Sequence, residues 1–279
     1  MQESTEMQRQ KGCDKAPKKR QKKRRKREQE QKRIMRLQVE KLNFSYGTKR
    51  ILQDLSFDIK DGEFVSILGP SGCGKSTLLN VLAGIRRPES GRILVDESEK
   101  WDARGAFAYM PQNDLLFPWR TILDNVCLYG ELHHCKDKMK TEALQKLEQF
   151  GLSGCENKYP DELSGGMRQR AAFLRTTLCE AGIYLLDEPF GALDVITRGD
   201  MQDWLQSLCS DLKKTILLVT HDTDEAIYLS DRILILGEAG EGIRQEIAID
   251  RKERTRDWLY AQGDLRAEIH RIIKEKETR

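Results

Sequence analysis

The chain has 279 residues, with 48 Lys and Arg against 45 Asp and Glu, so its formal net charge is only +3. The charge is unevenly distributed, because residues 1–33 hold 14 basic and 5 acidic side chains, whereas residues 34–279 hold 34 basic and 40 acidic ones. No apolar run approaches the ~18–20 residues of a membrane-spanning helix, and no apolar stretch follows the charged N-terminus as in a secretory signal. Seven scattered cysteines without a CxxC pair are typical of a reducing compartment. We therefore expect an intracellular protein.

The first 34 residues are predicted to form a disordered basic tail. Residues 18–27 read KKRQKKRRKR, and like charges at this density repel one another and stay solvated. Three interpretations stay open for the tail: a dispensable solvated segment, an arm toward anionic lipid headgroups, or an over-long start assignment. The last is motivated by Met35, which directly precedes the first strand pattern.

From Met35 onward, strand patterns alternate with helix patterns. Continuous apolar runs predict buried parallel strands at Phe64–Leu68, Ile183–Leu186 and Ile216–Val219. Apolar residues recur at helical spacing within 141–150, 171–180 and 200–212. This alternation favours an α/β fold with a parallel sheet, and residues 35–279 are predicted to form one domain.

The most specific motif is a glycine-rich phosphate loop between the first of these strands and a helical stretch. It consists of Gly69, Pro70, Ser71, Gly72, Cys73, Gly74, Lys75, Ser76 and Thr77. Its glycines let backbone N–H groups converge on phosphate oxygens, and the following helix points its positive end at the same anion. The pattern places Lys75 to reach the β- and γ-phosphates and the Ser76 hydroxyl to ligate Mg²⁺. The alternative, a glycine-rich turn with an incidental lysine, is disfavoured by the strand–loop–helix context.

A second element is the apolar strand that ends in Asp187 and Glu188. A carboxylate at the end of a buried strand lies where phosphate-loop proteins hold Mg²⁺, and the next residue can activate the attacking water as a general base. Taken alone, an acidic strand end is equally an ordinary feature of a sheet. Together with the phosphate loop, the pair indicates a site for hydrolysing a nucleoside triphosphate.

Between these two elements, residues 163–170 read LSGGMRQR, and here the chain resembles the signature of the ATP-binding-cassette ATPases. In such a motif Ser164, Gly165 and Gly166 open a helix and offer a second anion-binding surface. A capped helix start with two flexible glycines is the plain alternative. The order and spacing of the motifs along the chain match the family and favour the signature.

The resemblance extends to single positions across about residues 36–270. These positions are Tyr46, Gln112, Asp194 and His221. The resemblance implies that Tyr46 stacks on adenine and that His221 contacts the γ-phosphate. It also implies that Gln112 senses the nucleotide and that Asp194 belongs to a loop that communicates across a dimer.

The activity that the resemblance implies is ATP hydrolysis with ATP and Mg²⁺ as cofactors. The implied catalytic residues are Lys75, Glu188 and His221. The implied Mg²⁺ ligands are Ser76, Gln112 and Asp187. The implied fold is a P-loop NTPase core with a small antiparallel β subdomain and an inserted α-helical subdomain at about 114–180.

The implied assembly is a head-to-tail dimer that holds two ATP, because the chain has one phosphate loop and one signature. The resemblance further implies two transmembrane permease subunits as partners, a solute-binding protein as an indirect partner, and a place at the cytoplasmic face of the cell membrane. Residues 115–126 read LLFPWRTILDNV and are similar to importer ATPases of the nitrate, sulfonate, taurine and pyrimidine-precursor type. In that subfamily, Phe117 and Trp119 would anchor the permease. Packing of both rings within the helical subdomain is the alternative.

Three weaker features complete the sequence. Residues 133–135 (HHC) could be metal ligands, but no second ligand cluster has zinc spacing, and we favour a surface loop. The pattern of Trp258–Lys274 predicts a helix that packs on the core. The basic tail also allows a nucleic-acid-associated cassette protein. We expect no specific nucleic acid, because the paired cassettes or long coiled-coil insertions of such proteins are not seen.

Overall fold

A computed structural model describes residues 35–99, 105–191, 193–212, 214–250 and 254–275 of the chain. The predicted basic tail lies outside these residues. The strands are β1 (Met35–Tyr46), β2 (Lys49–Lys60), β3 (Phe64–Leu68), β4 (Ser90–Val95), β5 (Ser98–Glu99), β6 (Phe107–Met110), β7 (Ile183–Asp187), β8 (Thr215–Val219), β9 (Arg232–Leu236) and β10 (Ile243–Ala248). The helices are α1 (Lys75–Leu82), α2 (Ile122–Val126), α3 (Leu128–Leu132), α4 (Lys136–Lys146), α5 (Gly165–Thr177), α6 (Val195–Leu212), α7 (Thr223–Leu229), α8 (Arg256–Tyr260) and α9 (Gly263–Lys274). Within the described ranges, no helix combines the length and the apolar character that crossing a membrane requires.

The strands form two sheets. The small sheet has the order β2-β1-β4-β5 and is antiparallel. The large sheet has the order β10-β9-β3-β8-β7-β6, and its strands are parallel except for β10 at one edge. The predicted α/β fold with a parallel sheet is confirmed, and the three strands predicted from continuous apolar runs are β3, β7 and β8.

Two apolar cores lie on opposite faces of the large sheet. Val65 and Ile67 of β3 belong to the core that the small sheet and α1 complete. Phe64 and Leu68 belong to the core that the other helices cover. Because successive side chains of a strand point to opposite faces, a strand covered on both sides reads as a continuous apolar run. All five residues of β3, β7 and β8 are accordingly buried.

Between β6 and β7, a range that the structure describes throughout, the chain forms the helices α2 to α5. The predicted helix at 141–150 is wrong in its boundaries, because α4 starts five residues earlier and ends at Lys146. Gly151, at φ +64°, reverses the chain there, and the Leu152 N–H donates to the Leu147 carbonyl at 2.8 Å. The predicted helices at 171–180 and 200–212 correspond to the later parts of α5 and α6.

The C-terminal segment packs on the core as predicted, but the single helix expected over Trp258–Lys274 is wrong. The structure has two helices, α8 and α9, and buries Leu259 of the first and Ile269 of the second. The Arg266 guanidinium donates to the carbonyls of Leu259 and Tyr260, at 2.5 and 3.3 Å, and so satisfies the end of α8. A side chain that folds back from the next helix therefore helps to cap α8, together with the Gln262 N–H, which donates to the Leu259 carbonyl at 3.0 Å.

Candidate active site

The loop between β3 and α1 needs left-handed backbone at two positions, Gly72 (φ +76°) and Gly74 (φ +110°). A Cβ atom on Gly74 would lie 2.7 Å from the Ile51 Cγ2 atom, so only glycine lets the loop press against the small sheet. Helix α1 begins at the next residue, Lys75. The N–H groups of its first turn have no partner within the helix and carry the positive end of the helix dipole.

The Lys75 side chain is buried within this loop. Its ammonium donates to the Gly69 carbonyl at 2.8 Å and to the Pro70 carbonyl at 3.0 Å. These acceptors are neutral, so they hold the lysine in place and leave its positive charge for a ligand to balance. A buried cation beside a helix N-terminus fits the phosphates of a nucleotide.

A cavity of about 560 Å³ opens over the loop. It is lined by Tyr46, Ile51, Ser71, Gly72, Gly74, Lys75, Ser76, Thr77, Glu188 and His221. All of these residues except Ile51 are predicted from the sequence, and the cavity volume is typical of a small-molecule site. The Tyr46 ring is half exposed and packs edge-on against Phe44 at 4.9 Å. It therefore forms an aromatic wall of the cavity.

Asp187 ends β7, and each of its carboxylate oxygens accepts a hydroxyl hydrogen bond. Ser76 Oγ donates to Oδ1 at 3.0 Å, and the Tyr109 hydroxyl donates to Oδ2 at 3.2 Å. Burial raises the pKa of Asp187, and the hydrogen bonds from Ser76 and Tyr109 oppose that rise. A carboxylate beside a hydroxyl is the hard-oxygen pair that Mg²⁺ takes, so these residues fit that ion.

Tyr109 is a site residue that the sequence reasoning missed. It lies in β6, and its partner in the register of the sheet is Leu185 of β7, two residues before Asp187. The only signal in the sequence is its position three residues before Gln112. Its role becomes visible only when β6 and β7 pair.

Three predicted residues from three strand ends meet at the Glu188 carboxylate. Gln112 follows β6, Glu188 follows β7 and His221 follows β8. The Gln112 side-chain amide donates to Glu188 Oε2 at 3.2 Å, and His221 Nδ1 lies 3.2 Å from the same oxygen. The carboxyl ends of parallel strands share one edge of the sheet, and this brings together residues that are distant in the chain.

The backbone of Glu188 is left-handed, at φ +45°, although the residue is not glycine. Its N–H donates to the Val219 carbonyl at 2.8 Å, and its carbonyl accepts from the Gly191 N–H at 3.1 Å. A non-glycine residue in this region costs about 1–3 kcal/mol, and such strain is held in place by surrounding structure. Here the two hydrogen bonds hold the turn that directs the Glu188 side chain toward the cavity.

The signature residues lie elsewhere and do not line the cavity of their own chain. Ser164 caps α5 by accepting from the Met167 N–H at 3.3 Å. A Cβ atom on Gly166 would lie 2.8 Å from the Thr197 Cγ2 atom, so the start of α5 presses against the start of α6. A Cβ atom on Gly165 would be in ordinary contact with Leu193. Within the described residues, the donors of the signature therefore form a separate surface.

Asp194 also stays outside the cavity. Its carboxylate accepts from the N–H groups of Ile196 and Thr197 at 3.1 Å and from the Thr197 hydroxyl at 2.6 Å. These bonds hold the pKa of Asp194 below its ordinary value. In one chain Asp194 fixes the start of α6, next to the signature.

The structure bears on the weaker prediction of a metal site at residues 133–135. His133 and His134 are exposed in the turn between α3 and α4, as predicted for a surface loop. In the part of the chain that the structure describes, no group of three His, Cys, Asp or Glu could hold a metal ion.

Trp119 is 71% exposed, and Phe117 is half-buried with its ring 5.2 Å from the Trp119 ring. The alternative that both rings pack inside the helical region is therefore wrong for Trp119.

The fold and this cavity define the class of protein. A phosphate loop after β3, an acidic end of β7 and a histidine after β8, all at one edge of a parallel sheet, are the parts of a P-loop nucleoside triphosphatase. The ABC transporter family matches residues 52–191, half of the chain.

Individual proteins agree with this class. The chain is 42% identical to an aliphatic sulfonates import ATP-binding protein of Zymomonas mobilis, over 81% of this chain and 91% of that protein. It is 46% identical to a formylaminopyrimidine import ATP-binding protein of Halalkalibacterium halodurans, over 71% of this chain and 78% of that protein. A dimeric post-hydrolysis structure of the ATP-binding cassette MJ0796, bound to ADP and Pi, superposes with a TM-score of 0.65 at 29% identity, over 77% of this chain and 99% of that one. The chain belongs to the ABC transporter family, as an ATP-binding domain that hydrolyses ATP.

Proposed function

We propose that the chain is the ATP-hydrolysing subunit of a membrane importer for a small nutrient and works as a head-to-tail dimer at the cytoplasmic face of the membrane. The observation that carries the proposal is the division of the site. The phosphate loop and Glu188 share one cavity, whereas Ser164 and its neighbours lie on a separate surface. The import proteins to which the chain is similar support the nutrient class by their names.

The nucleotide would lie along the cavity with its base against Tyr46 and its phosphates in the loop. Lys75 would exchange the carbonyls of Gly69 and Pro70 for the β- and γ-phosphate oxygens. The N–H groups at the start of α1 would donate to the same oxygens. A Mg²⁺ ion held here would supply positive charge against the phosphates. Its ligands would be Ser76, Asp187 and Gln112.

Hydrolysis would be carried by Glu188 and His221. The Glu188 carboxylate lines the cavity and would take a proton from the water that attacks the γ-phosphorus. His221, which approaches the same carboxylate, would donate its N–H to the γ-phosphate. The rate would come chiefly from positioning and from charge stabilisation by Lys75.

A second copy would complete the site. Ser164, Gly165 and Gly166 open α5 with donors that do not line the cavity of their own chain, and Asp194 braces the adjacent start of α6. Placed over the γ-phosphate of the facing copy, these donors would make dimerisation depend on ATP. Hydrolysis would release the two copies again.

The permease would contact the helical subdomain, which we place at about 114–180. Exposed Trp119 and its neighbour Phe117 suit an aromatic anchor for a partner protein. The energy of the dimer cycle would then reach two transmembrane permease subunits, which receive the nutrient from a solute-binding protein. The nucleic-acid alternative is not proposed, because the comparisons do not support it and its basic arm lies outside the described residues.

Glu188→Gln tests the proposal directly. The amide keeps the shape of the side chain but cannot take a proton, so we expect hydrolysis to fall by at least ~100-fold. ATP-dependent dimerisation, followed by size-exclusion chromatography with Mg²⁺-ATP, should persist. Glu148→Gln, a change at an exposed glutamate, serves as the matched control. Steady-state hydrolysis at the wild-type rate in the Glu188→Gln variant would contradict the assigned role.

A further inference from the structure

We propose that Glu225, which lies outside the cavity, is a positioning residue that holds the His221 loop in register and joins it to the start of α6. The inference rests on the proposed function, since it assigns a task to a residue behind the histidine of that site. Glu225 lies on α7 and is only 3% exposed. Neither the phosphate loop nor the signature accounts for a carboxylate at this place.

The first link runs from Glu225 to both neighbours of His221. The Thr220 hydroxyl donates to Glu225 Oε2 at 2.5 Å. The same hydroxyl oxygen accepts from the Asp222 N–H at 3.0 Å. Since Thr220 and Asp222 flank His221 in the chain, these two bonds fix the backbone on both sides of the histidine.

The second link runs from Asp222 to α6. Asp222 caps α7 by accepting from the Asp224 N–H at 2.8 Å and the Glu225 N–H at 3.3 Å. Its other oxygen lies 3.5 Å from an Arg198 guanidinium nitrogen. Arg198 also donates to the Leu193 carbonyl at 3.1 Å, next to Asp194. The loop of His221 is thereby tied to the segment that lies against the signature.

The charge of Glu225 is sensitive to pH near neutrality. Burial, with repulsion from Asp222, raises the pKa of Glu225 to about 7. Hydrogen bonds from Thr220 and Gln202 and the attraction of Arg198 oppose that rise. Gln202 in turn accepts from Arg256 of α8 at 3.0 Å. The ionised carboxylate is thus the form that these donors favour, and it accepts the Thr220 hydroxyl as seen here.

A purely structural role explains this arrangement poorly. The neighbours Ala226 and Ile227 are fully buried and apolar, and an apolar residue at 225 would avoid the cost of burying a carboxylate. The ionised group is therefore kept at a cost in stability, behind the one residue that faces the cavity from this loop. Costs of this kind concentrate where a site must be held in one geometry.

Glu225→Gln tests the inference by removing the charge and keeping the shape. We expect ATP hydrolysis at about pH 8 to fall by about tenfold, the size of one charge-assisted hydrogen bond. Wild-type activity should fall between about pH 8 and pH 6, in part because Glu225 becomes protonated. In the Glu225→Gln variant this fall should be smaller. Glu148→Gln is the control and should reproduce the wild-type profile. A Glu225→Gln profile that superimposes on that of the wild type would overturn the inference.

Combining Glu225→Gln with a His221 variant distinguishes a positioning role from a general loss of structure. In a His221→Ala background, measured in single turnover, Glu225→Gln should have no further effect, because its target is already absent. The same tenfold loss in that background would overturn the positioning role. Wild-type protein without ATPase activity would instead count against the proposed function. Thr220→Val breaks the same link at its other end and gives an independent reading if Glu225→Gln does not fold.

The pH dependence of stability checks that the pKa of Glu225 is raised, as its burial predicts. An ordinary glutamate has a pKa of ~4.3, so between about pH 4 and 7 the folded protein keeps a proton that the unfolded chain has released. Stability from this group is therefore lost as pH rises to about 7 and is constant above. The melting temperature of Glu225→Gln relative to wild type should rise from pH 5 to 7 and then level off. A difference that is independent of pH would contradict a buried titrating carboxylate.

Discussion

Three residues at this site have a backbone conformation or a degree of burial that is unusual for their residue type. Each of them carries a charge that the site must hold in place. Glu188 accepts a left-handed backbone, Asp187 keeps a carboxylate in a buried position, and Lys75 keeps its ammonium inside a loop. Each is held by hydrogen bonds with another strand or with the loop itself. At Asp187 the holding groups are two hydroxyls, from Ser76 and Tyr109. Since Ser76 is itself a proposed Mg²⁺ ligand, the Tyr109 hydroxyl is the group that can be removed without touching the proposed ligands.

Tyr109→Phe should therefore weaken Mg²⁺ binding without altering the ligand set. The carboxylate loses one donor, and the Mg²⁺ concentration at half-maximal ATPase activity should rise about 2- to 10-fold, as expected for one hydrogen bond. Tyr184→Phe is the matched control, because the Tyr184 hydroxyl donates to the Thr177 carbonyl at 3.4 Å, away from the cavity. Equal Mg²⁺ dependence in the two variants would contradict the role given to Tyr109.

Among the elements, the loop before α2 shows how an exposed aromatic residue is displayed. Asn125 is fully buried, and its side chain accepts from the Phe117 N–H at 2.7 Å. Its amide donates to the carbonyls of Phe117, Arg120 and Thr121 at 3.0–3.1 Å. One buried amide thus fixes the whole turn around Trp119. The ring projects from a rigid support, which favours binding because little freedom is lost on contact.

Trp119→Ala should separate partner binding from catalysis. The ring is exposed, so we expect ATP hydrolysis and the melting temperature of the isolated subunit to stay close to those of wild type. Co-purification with the proposed permease should fall strongly, because buried tryptophans are among the largest contributors to interfaces. Tyr260→Ala changes an equally exposed aromatic residue, 69% accessible, on α8 and should leave co-purification intact. Equal loss in both variants would count against a specific anchor at Trp119.

The elements also show which parts of the fold are readable from sequence. The strands β3, β7 and β8 are predicted almost to the residue, because both of their faces are buried and the pattern is continuous. The break between α8 and α9 is not, because the contacts that close the end of α8, including those of Arg266, form only in the folded chain. Tyr109 and Glu225 escape prediction for a related reason. Asp187 becomes a neighbour of Tyr109 only after β6 and β7 pair, and Thr220 meets Glu225, five residues later, only once the turn into α7 forms. The loop motif, in contrast, carries its chemistry in consecutive residues.

At the scale of the whole molecule, the proposed function divides one nucleotide site between two surfaces of the chain. The cavity with Lys75 is one half, and the start of α5 with Ser164 is the other. A chain of this kind needs a facing copy, and the two sites of a symmetric dimer would each take one half from each copy.

Mixing two defective variants tests this arrangement. Lys75→Ala removes the phosphate-binding cation. Ser164→Asp keeps a good helix cap but puts a negative charge against the γ-phosphate. Each variant alone should be inactive, whereas an equimolar mixture should recover about a quarter of wild-type hydrolysis, because half of the dimers then hold one intact site. Ser164→Asn, a neutral cap, is the control for the charge. A mixture that stays inactive although the two variants form a mixed dimer with Mg²⁺-ATP would contradict shared sites.

The bonds from Lys75 to Gly69 and Pro70 have a consequence for the speed of nucleotide turnover. These two bonds position the ammonium over the loop, so that the fold itself holds the charge that would meet a phosphate. ATP would then meet a preassembled cradle and displace two carbonyls, with no segment to reorder first. Binding of nucleotide at this loop should therefore be rapid.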